Sequence, residues 1–175
     1  MPAGPHGKMR ATSTPTATFA ERLDGVTEVR AGVYVFQDLV MAGIGVCEVD
    51  DIAISVLATI IGHRADTGWL ITDAGWMALS RDRGTATQAV DRGYGVVCDV
   101  EGRVIAGLQM SGANQEHGII SRTDGAPMRW DAHPVGSMLR ILPNHACATA
   151  AQYGEYVVVQ GSPDVTARWE RLNGW

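Results

Sequence analysis

Ile52-Ala53-Ile54-Ser55-Val56-Leu57-Ala58-Thr59-Ile60-Ile61 is the stretch on which the fold turns, bounded by Asp50-Asp51 before it and Gly62-His63 after it. Four isoleucines, a valine and a threonine carry side chains branched at Cβ, which fit the pleat of a sheet better than the crowded turn of a helix. Periodicity alone leaves a buried helix open for so short an apolar run. The branched content decides for a long strand buried on both faces.

Downstream, Trp69-Leu70-Ile71-Thr72 reads as a shorter strand that stops at Asp73-Ala74-Gly75. Gly93 to Cys98 and Val104 to Met110 form a hairpin about Asp99-Val100-Glu101-Gly102, where glycine suits the turn. Gly118 to Ser121, Ser137 to Leu142 and Glu155 to Gln160 continue the pattern, and Val165 to Leu172 adds a last edge. Upstream, Thr27 to Arg30 and Val33 to Phe36 read as strand segments broken at Ala31-Gly32, and Asp38 caps a short turn. Many short strands separated by turn signals predict an all-β protein, a closed or nearly closed barrel with few and short helices.

The chain of 175 residues is sized for one domain, and 21 glycines fit a turn-rich chain. A net charge of −5, with no basic run, argues against nucleic acid as a partner. The apolar run is too short to span a membrane. Three cysteines cannot pair completely and no signal peptide is evident, so a cytoplasmic setting is expected. Residues 1–23, rich in Pro, Gly, Ser, Thr and Ala, read as a flexible leader, with regular structure beginning near Val26 and a β-domain over 24–175.

Chemistry concentrates in Pro143-Asn144-His145-Ala146-Cys147-Ala148-Thr149-Ala150. Imidazole and thiolate are the donor types that hold a borderline-soft ion such as zinc. On a strand His145 and Cys147 would share a face, whereas with Asn144 as an N-cap they fall in the first turn of a helix. Taken alone, the commoner reading of His-x-Cys is a buried cysteine beside a capping turn. Gln115-Glu116-His117-Gly118 is a second polar cluster: Glu116 and His117 can act as acid and base or support a metal ligand, and otherwise form a solvated turn. Asp73 stands at a strand end where it could face a site, the commoner reading being an Asx-turn residue, while His63 and His133 read as structural and the tryptophans as packing groups.

Taken in order, several stretches resemble the carboxy-terminal domain of the D-serine dehydratase and D-threonine aldolase family. They are Thr27 to Asp38, Val56 to Thr59, Asp73-Ala74-Gly75 with Ala78-Leu79-Ser80, Gln115 to Gly118, and Pro143 to Thr149. The resemblance implies a partly closed, Greek-key-like β-barrel like the carboxy-terminal domain of alanine racemase. It also implies a divalent metal on His145 and Cys147, the His-x-Cys form being similar to the zinc-dependent dehydratase branch and His-x-Asp to the aldolases. Family members hold pyridoxal phosphate on a lysine of a separate α/β barrel, whereas the single lysine here is Lys8. Thr12-Ser13-Thr14-Pro15-Thr16 resembles a remnant of the segment cradling the cofactor phosphate, which makes Ser13 and Thr14 the cofactor-binding candidates.

The resemblance implies the metal-binding domain of a D-amino-acid lyase acting on a small D-amino acid. The chain is then inactive by itself and bound to pyridoxal phosphate only with a barrel supplied in cis or trans. The other class is a non-catalytic β-barrel module that binds metal or protein. Either predicts self-association through apolar surface left open, and the lyase reading also predicts a barrel-domain chain as partner, which the module would ignore.

Overall fold

The computed structural model describes residues 9–172. Over these residues the chain runs β1 (Met9–Ala11), α1 (Thr14–Phe19), β2 (Val26–Val29), α2 (Leu39–Gly43), β3 (Val56–Arg64), β4 (Trp69–Thr72), β5 (Gly95–Cys98), β6 (Val104–Ala113), β7 (Gly118–Arg122), β8 (Met138–Pro143), α3 (Ala146–Ala150), β9 (Glu155–Val159) and β10 (Val165–Glu170). Six strands close into a barrel in the order β3-β4-β7-β6-β5-β8, and β8 pairs back onto β3. Every barrel pairing is antiparallel. β5, β6 and β7 follow one another through tight connections while β4 lies beside β7, which is a Greek-key arrangement. Two small ribbons flank the barrel, β1 with β2 in parallel and β9 with β10 antiparallel. The all-β expectation with few short helices therefore holds, and the barrel is fully closed.

The opening run behaves differently from its sequence reading. Only Val56 onward is strand, and it alternates: Val56, Ala58 and Ile60 enter the barrel core while Leu57 is 58% exposed and Ile61 45%. Residues 52–55 precede the strand and owe their apolar character to other neighbours. Ile52 and Ile54 pack with Phe36, Ala146, Ala150 and Tyr156, where Phe36 meets Tyr156 edge to face. The strand buried on both faces is β5. Val97 points into the barrel, while Val96 and Cys98 are covered from outside by Leu39 and Leu142.

The interior is filled by Ile60, Leu70, Met110, Ile120 and Ile141, each fully buried. Truncating one such side chain to alanine costs ~2–5 kcal/mol through lost transfer energy and a residual void. Two further expectations are corrected. Val33–Val35 forms a 3-10 turn instead of a strand, and Gln37 after it takes a left-handed φ of 55°. Regular structure also starts at Met9, earlier than composition suggests, because β1 pairs with β2 and Ser13 caps α1. Lys8 and Trp175 lie outside the described residues. No helix among the described residues is long and apolar enough to cross a membrane.

Register places the candidate residues together. Thr72 faces Gly118, Ala113 faces Gly118, Gly95 faces Pro143 and Val56 faces Ile141. One rim thus gathers the ends of β4, β6 and β8 with the starts of β3, β5 and β7. The long connection 73–94, the turn 114–117 and the segment 144–150 all emerge there.

Candidate functional site

The segment leaving β8 at this rim is held by buried polar side chains. Asn144 is 1% exposed. Its Nδ2 donates to the carbonyls of Asp82 at 3.1 Å and Gly93 at 2.7 Å, and its Oδ1 accepts from Thr85 Oγ1 at 3.0 Å. The Thr85 hydroxyl in turn accepts from the amide of Arg92 at 3.0 Å. A buried amide with its capacity filled fixes the backbone that carries it, since any other pose strands a polar group away from water. Asn144 is therefore a clamp on the connection 73–94 rather than the helix cap that its sequence position predicts.

The cap position belongs to His145, whose backbone is extended at φ −135° and ψ 101° and whose side chain caps nothing. Its ring is turned away from the helix, with Nδ1 at 2.7 Å from Asp82 Oδ2. Cys147 follows in the first turn of α3 and is exposed. That exposure removes the buried-cysteine reading, which needed the thiol in the core. The amide of Ala146, between the two candidates, donates to Asp38 Oδ2 at 2.9 Å. The other oxygen of Asp38 accepts from Met41 N at 2.9 Å, so one carboxylate that is 1% exposed caps α2 and the start of α3 together.

The second cluster borders a cleft at the same rim. A cavity of about 310 Å³ is lined by Asp73, Gly75, Met77, Glu116, Gln152 and Tyr153, among others. Trp76 and Met77 donate their amides to the carbonyls of Asn114 and Gln115, at 2.9 and 3.1 Å, knitting the long connection to the β6–β7 turn. Glycine is needed at 75 for that approach, because a Cβ would lie 2.4 Å from the carbonyl oxygen of Asn114. Tyr153 closes the far side by donating its hydroxyl to the carbonyl of Ala78 at 2.8 Å, and burial raises its phenol pKa. Glu116 borders this cleft, while His117 sits on the exposed turn outside the lining. Asp73 Oδ1 accepts from Thr59 N at 2.7 Å, extending the β3–β4 pairing instead of closing an Asx-turn. His63 donates from Nε2 to the carbonyl of His133 at 2.7 Å.

Ser13 uses its hydroxyl as the N-cap of α1, accepting from Thr16 N at 3.2 Å. Thr14 is buried with its hydroxyl unpartnered. No lysine occurs among the described residues, so the Schiff base that holds pyridoxal phosphate does not fit this part of the chain. A divalent ion fits better. His145 and Cys147 are the donor types that zinc takes, both reach solvent at one turn, and no group of three His, Cys, Asp or Glu side chains is assembled among the described residues. His145 and Cys147 are therefore side chains of the type that would hold such an ion.

Sequence reasoning passed over Asp82, Asn144 as a clamp, and Thr85. No local motif marks Arg81-Asp82-Arg83, and only the fold sets Asp82 against a residue 63 positions away.

A family model described as "Putative serine dehydratase domain" matches residues 53–159. D-threo-3-hydroxyaspartate dehydratase of Delftia sp. (strain HT23) is 64% identical over 165 residues, 93% of this chain and 43% of the relative. A D-serine dehydratase of Dictyostelium discoideum is 32% identical over 155 residues, 86% of this chain and 38% of the relative. Two solved structures of D-threo-3-hydroxyaspartate dehydratase superpose with a TM-score of 0.88 at 60% identity, over 96% of this chain and 43% and 45% of theirs. One has a histidine replaced by alanine; the other has a cysteine two positions further on replaced by alanine and is in a metal-free form. An alanine racemase-like protein from Idiomarina loihiensis matches with a TM-score of 0.86 at 49% identity, over 96% of this chain and 44% of that one. The chain spans less than half the length of these relatives. With its closed barrel and the family model covering residues 53–159, this chain belongs to the serine dehydratase domain family.

Proposed function

We propose that this chain is the metal-binding domain of a pyridoxal-phosphate-dependent lyase that removes water from a small D-3-hydroxy amino acid. The observation that carries the reading is the turn 144–147, where an imidazole and an exposed thiol stand two residues apart on backbone clamped by Asn144 and Asp38. The histidine and cysteine replaced in the solved D-threo-3-hydroxyaspartate dehydratase structures have the same spacing, and the cysteine replacement is metal-free. His145 and Cys147 would hold the ion. A divalent metal supplies a Lewis acid that polarises the substrate's 3-hydroxyl as a leaving group. Glu116, at the cleft between the long connection and the β6–β7 turn, supports the substrate side, with His117 beside it.

Pyridoxal phosphate and its lysine belong to an α/β barrel acting in cis or trans, to which Ser13 and Thr14 would contribute contacts. The protein works in the cytoplasm, alone or self-associated until that barrel is supplied. Zinc titration against a chromophoric chelator should show one ion per chain, lost in His145→Ala and Cys147→Ala. Addition of the barrel portion of the Delftia enzyme should then release ammonia from D-threo-3-hydroxyaspartate or D-serine. Equal zinc binding by wild type and both variants would overturn the metal assignment, and absence of ammonia with a docked barrel would overturn the lyase assignment.

A further inference from the structure

We infer that Asp82 is the positioning residue for His145: its carboxylate holds the imidazole as the Nδ1–H tautomer and presents Nε2 as the ligand atom. This rests on the metal reading above and adds to it the chemistry of the second contact. The distance of 2.7 Å between His145 Nδ1 and Asp82 Oδ2 admits one polarity when the ring is neutral. An ionised carboxylate only accepts, so Nδ1 carries the proton and the lone pair lies on Nε2. A neutral imidazole with a free Nε2 is the form that a divalent ion binds, and a carboxylate on the opposite nitrogen fixes ring direction and raises basicity.

The contact is built rather than incidental. A lone contact between half-exposed partners, here at 35% and 44% side-chain exposure, leaves both free to swing. Here two successive residues grip one: His145 reaches the carboxylate of Asp82 while Asn144 Nδ2 donates to its carbonyl at 3.1 Å. The amide of Asp82 is also tied, donating to Ser80 Oγ at 3.1 Å. Backbone on both sides of the carboxylate is therefore set by bonds that His145 does not make. Among the described residues, no other hydrogen-bond partner meets the ring.

Two measurements separate this inference from the metal reading. The first uses metal-free protein at mildly alkaline pH, where long-range nitrogen–proton correlation spectra distinguish Nδ1–H from Nε2–H. Wild type should show His145 as Nδ1–H. Asp82→Ala should move it to the Nε2–H form, and Asp82→Asn, which keeps an acceptor oxygen, should retain Nδ1–H. Wild type in the Nε2–H form, or an unchanged tautomer in Asp82→Ala, would overturn the proposal whatever the metal does. The second is cobalt(II) titration of the same proteins, read from the thiolate charge-transfer band of Cys147. Asp82→Ala should weaken binding ~10–100-fold, and Asp82→Asn less, with unchanged unfolding midpoints. Equal affinity in wild type and Asp82→Ala would also overturn it. A correct tautomer shift with no cobalt bound by wild type would uphold the role of Asp82 in orienting the ring and sink the metal reading alone.

Discussion

Replacing Asn144 by alanine tests whether buried polar bonds set the rim. The substitution removes three hydrogen bonds, leaving the carbonyl of Gly93 buried without a donor and the carbonyl of Asp82 partly so. Thr85 keeps its bond from Arg92 and loses only an acceptor for its proton. An orphaned buried polar group costs ~1–3 kcal/mol, and a partly wet one recovers much of that from water. With Gly93 near the top of that range and Asp82 near the bottom, the loss is about 2–4 kcal/mol. For a chain of this size that lowers the midpoint by roughly 5–15 °C. Urea unfolding followed by tryptophan fluorescence and a thermal melt read the two quantities. Asn144→Asp should lose a similar amount, because a carboxylate cannot donate to the two carbonyls. A loss below ~0.5 kcal/mol in both variants, the size of an ordinary surface change, would refute the claim that this amide clamps the rim.

Further outcomes follow from other positions. Gly75→Ala should destabilise by ~1–3 kcal/mol, measured by urea unfolding, because its Cβ would press on the backbone carbonyl oxygens of Asn114 and Gln115 at 2.4 and 2.5 Å. Burial pushes the Cys98 thiol up to about 11, with Asp99 adding to it. A disulfide reagent at pH 8 should accordingly label exposed Cys147 first and Cys98 only after unfolding, followed by mass spectrometry. Burial, with Arg129 adding, holds His133 below its ordinary value. A lowered folded pKa means that the unfolded chain takes up the proton first, so this contribution is intact above about 6.5 and is lost as pH falls through that value. Melts between pH 8 and 5 should show the decline, and His133→Gln should flatten part of it.

The barrel was legible because its strands are short branched or aromatic runs separated by glycine-bearing turns. Trp69–Thr72, the hairpin about Asp99–Gly102 and Met138–Pro143 stand where those signals put them. What misled is also physical. Ile52 and Ile54 are apolar because α3 and Phe36 cover them, a cause that sequence cannot separate from burial in a strand. Val33 and Val35 have strand propensity, yet the turn that brings Asp38 inward overrides it. At the rim, residue type marked His145 and Cys147 as donors, and adjacency marked Glu116 and His117 as a pair. Asp82 was invisible because its significance depends on the long connection folding back across the barrel end. The role of Asn144 was hidden for the same reason: a local rule offered a cap, and distant carbonyls claimed the side chain instead.

Asp38 gives two helix starts a single anchor, and this restricts how the rim can be altered. Leu39–Gly43 and Ala146–Ala150 share that anchor, so neither can be displaced without dragging on the other. A neighbour leaning on the first would be felt at the sulfur carried by the second, a mechanical link spanning 108 positions of chain through one side chain.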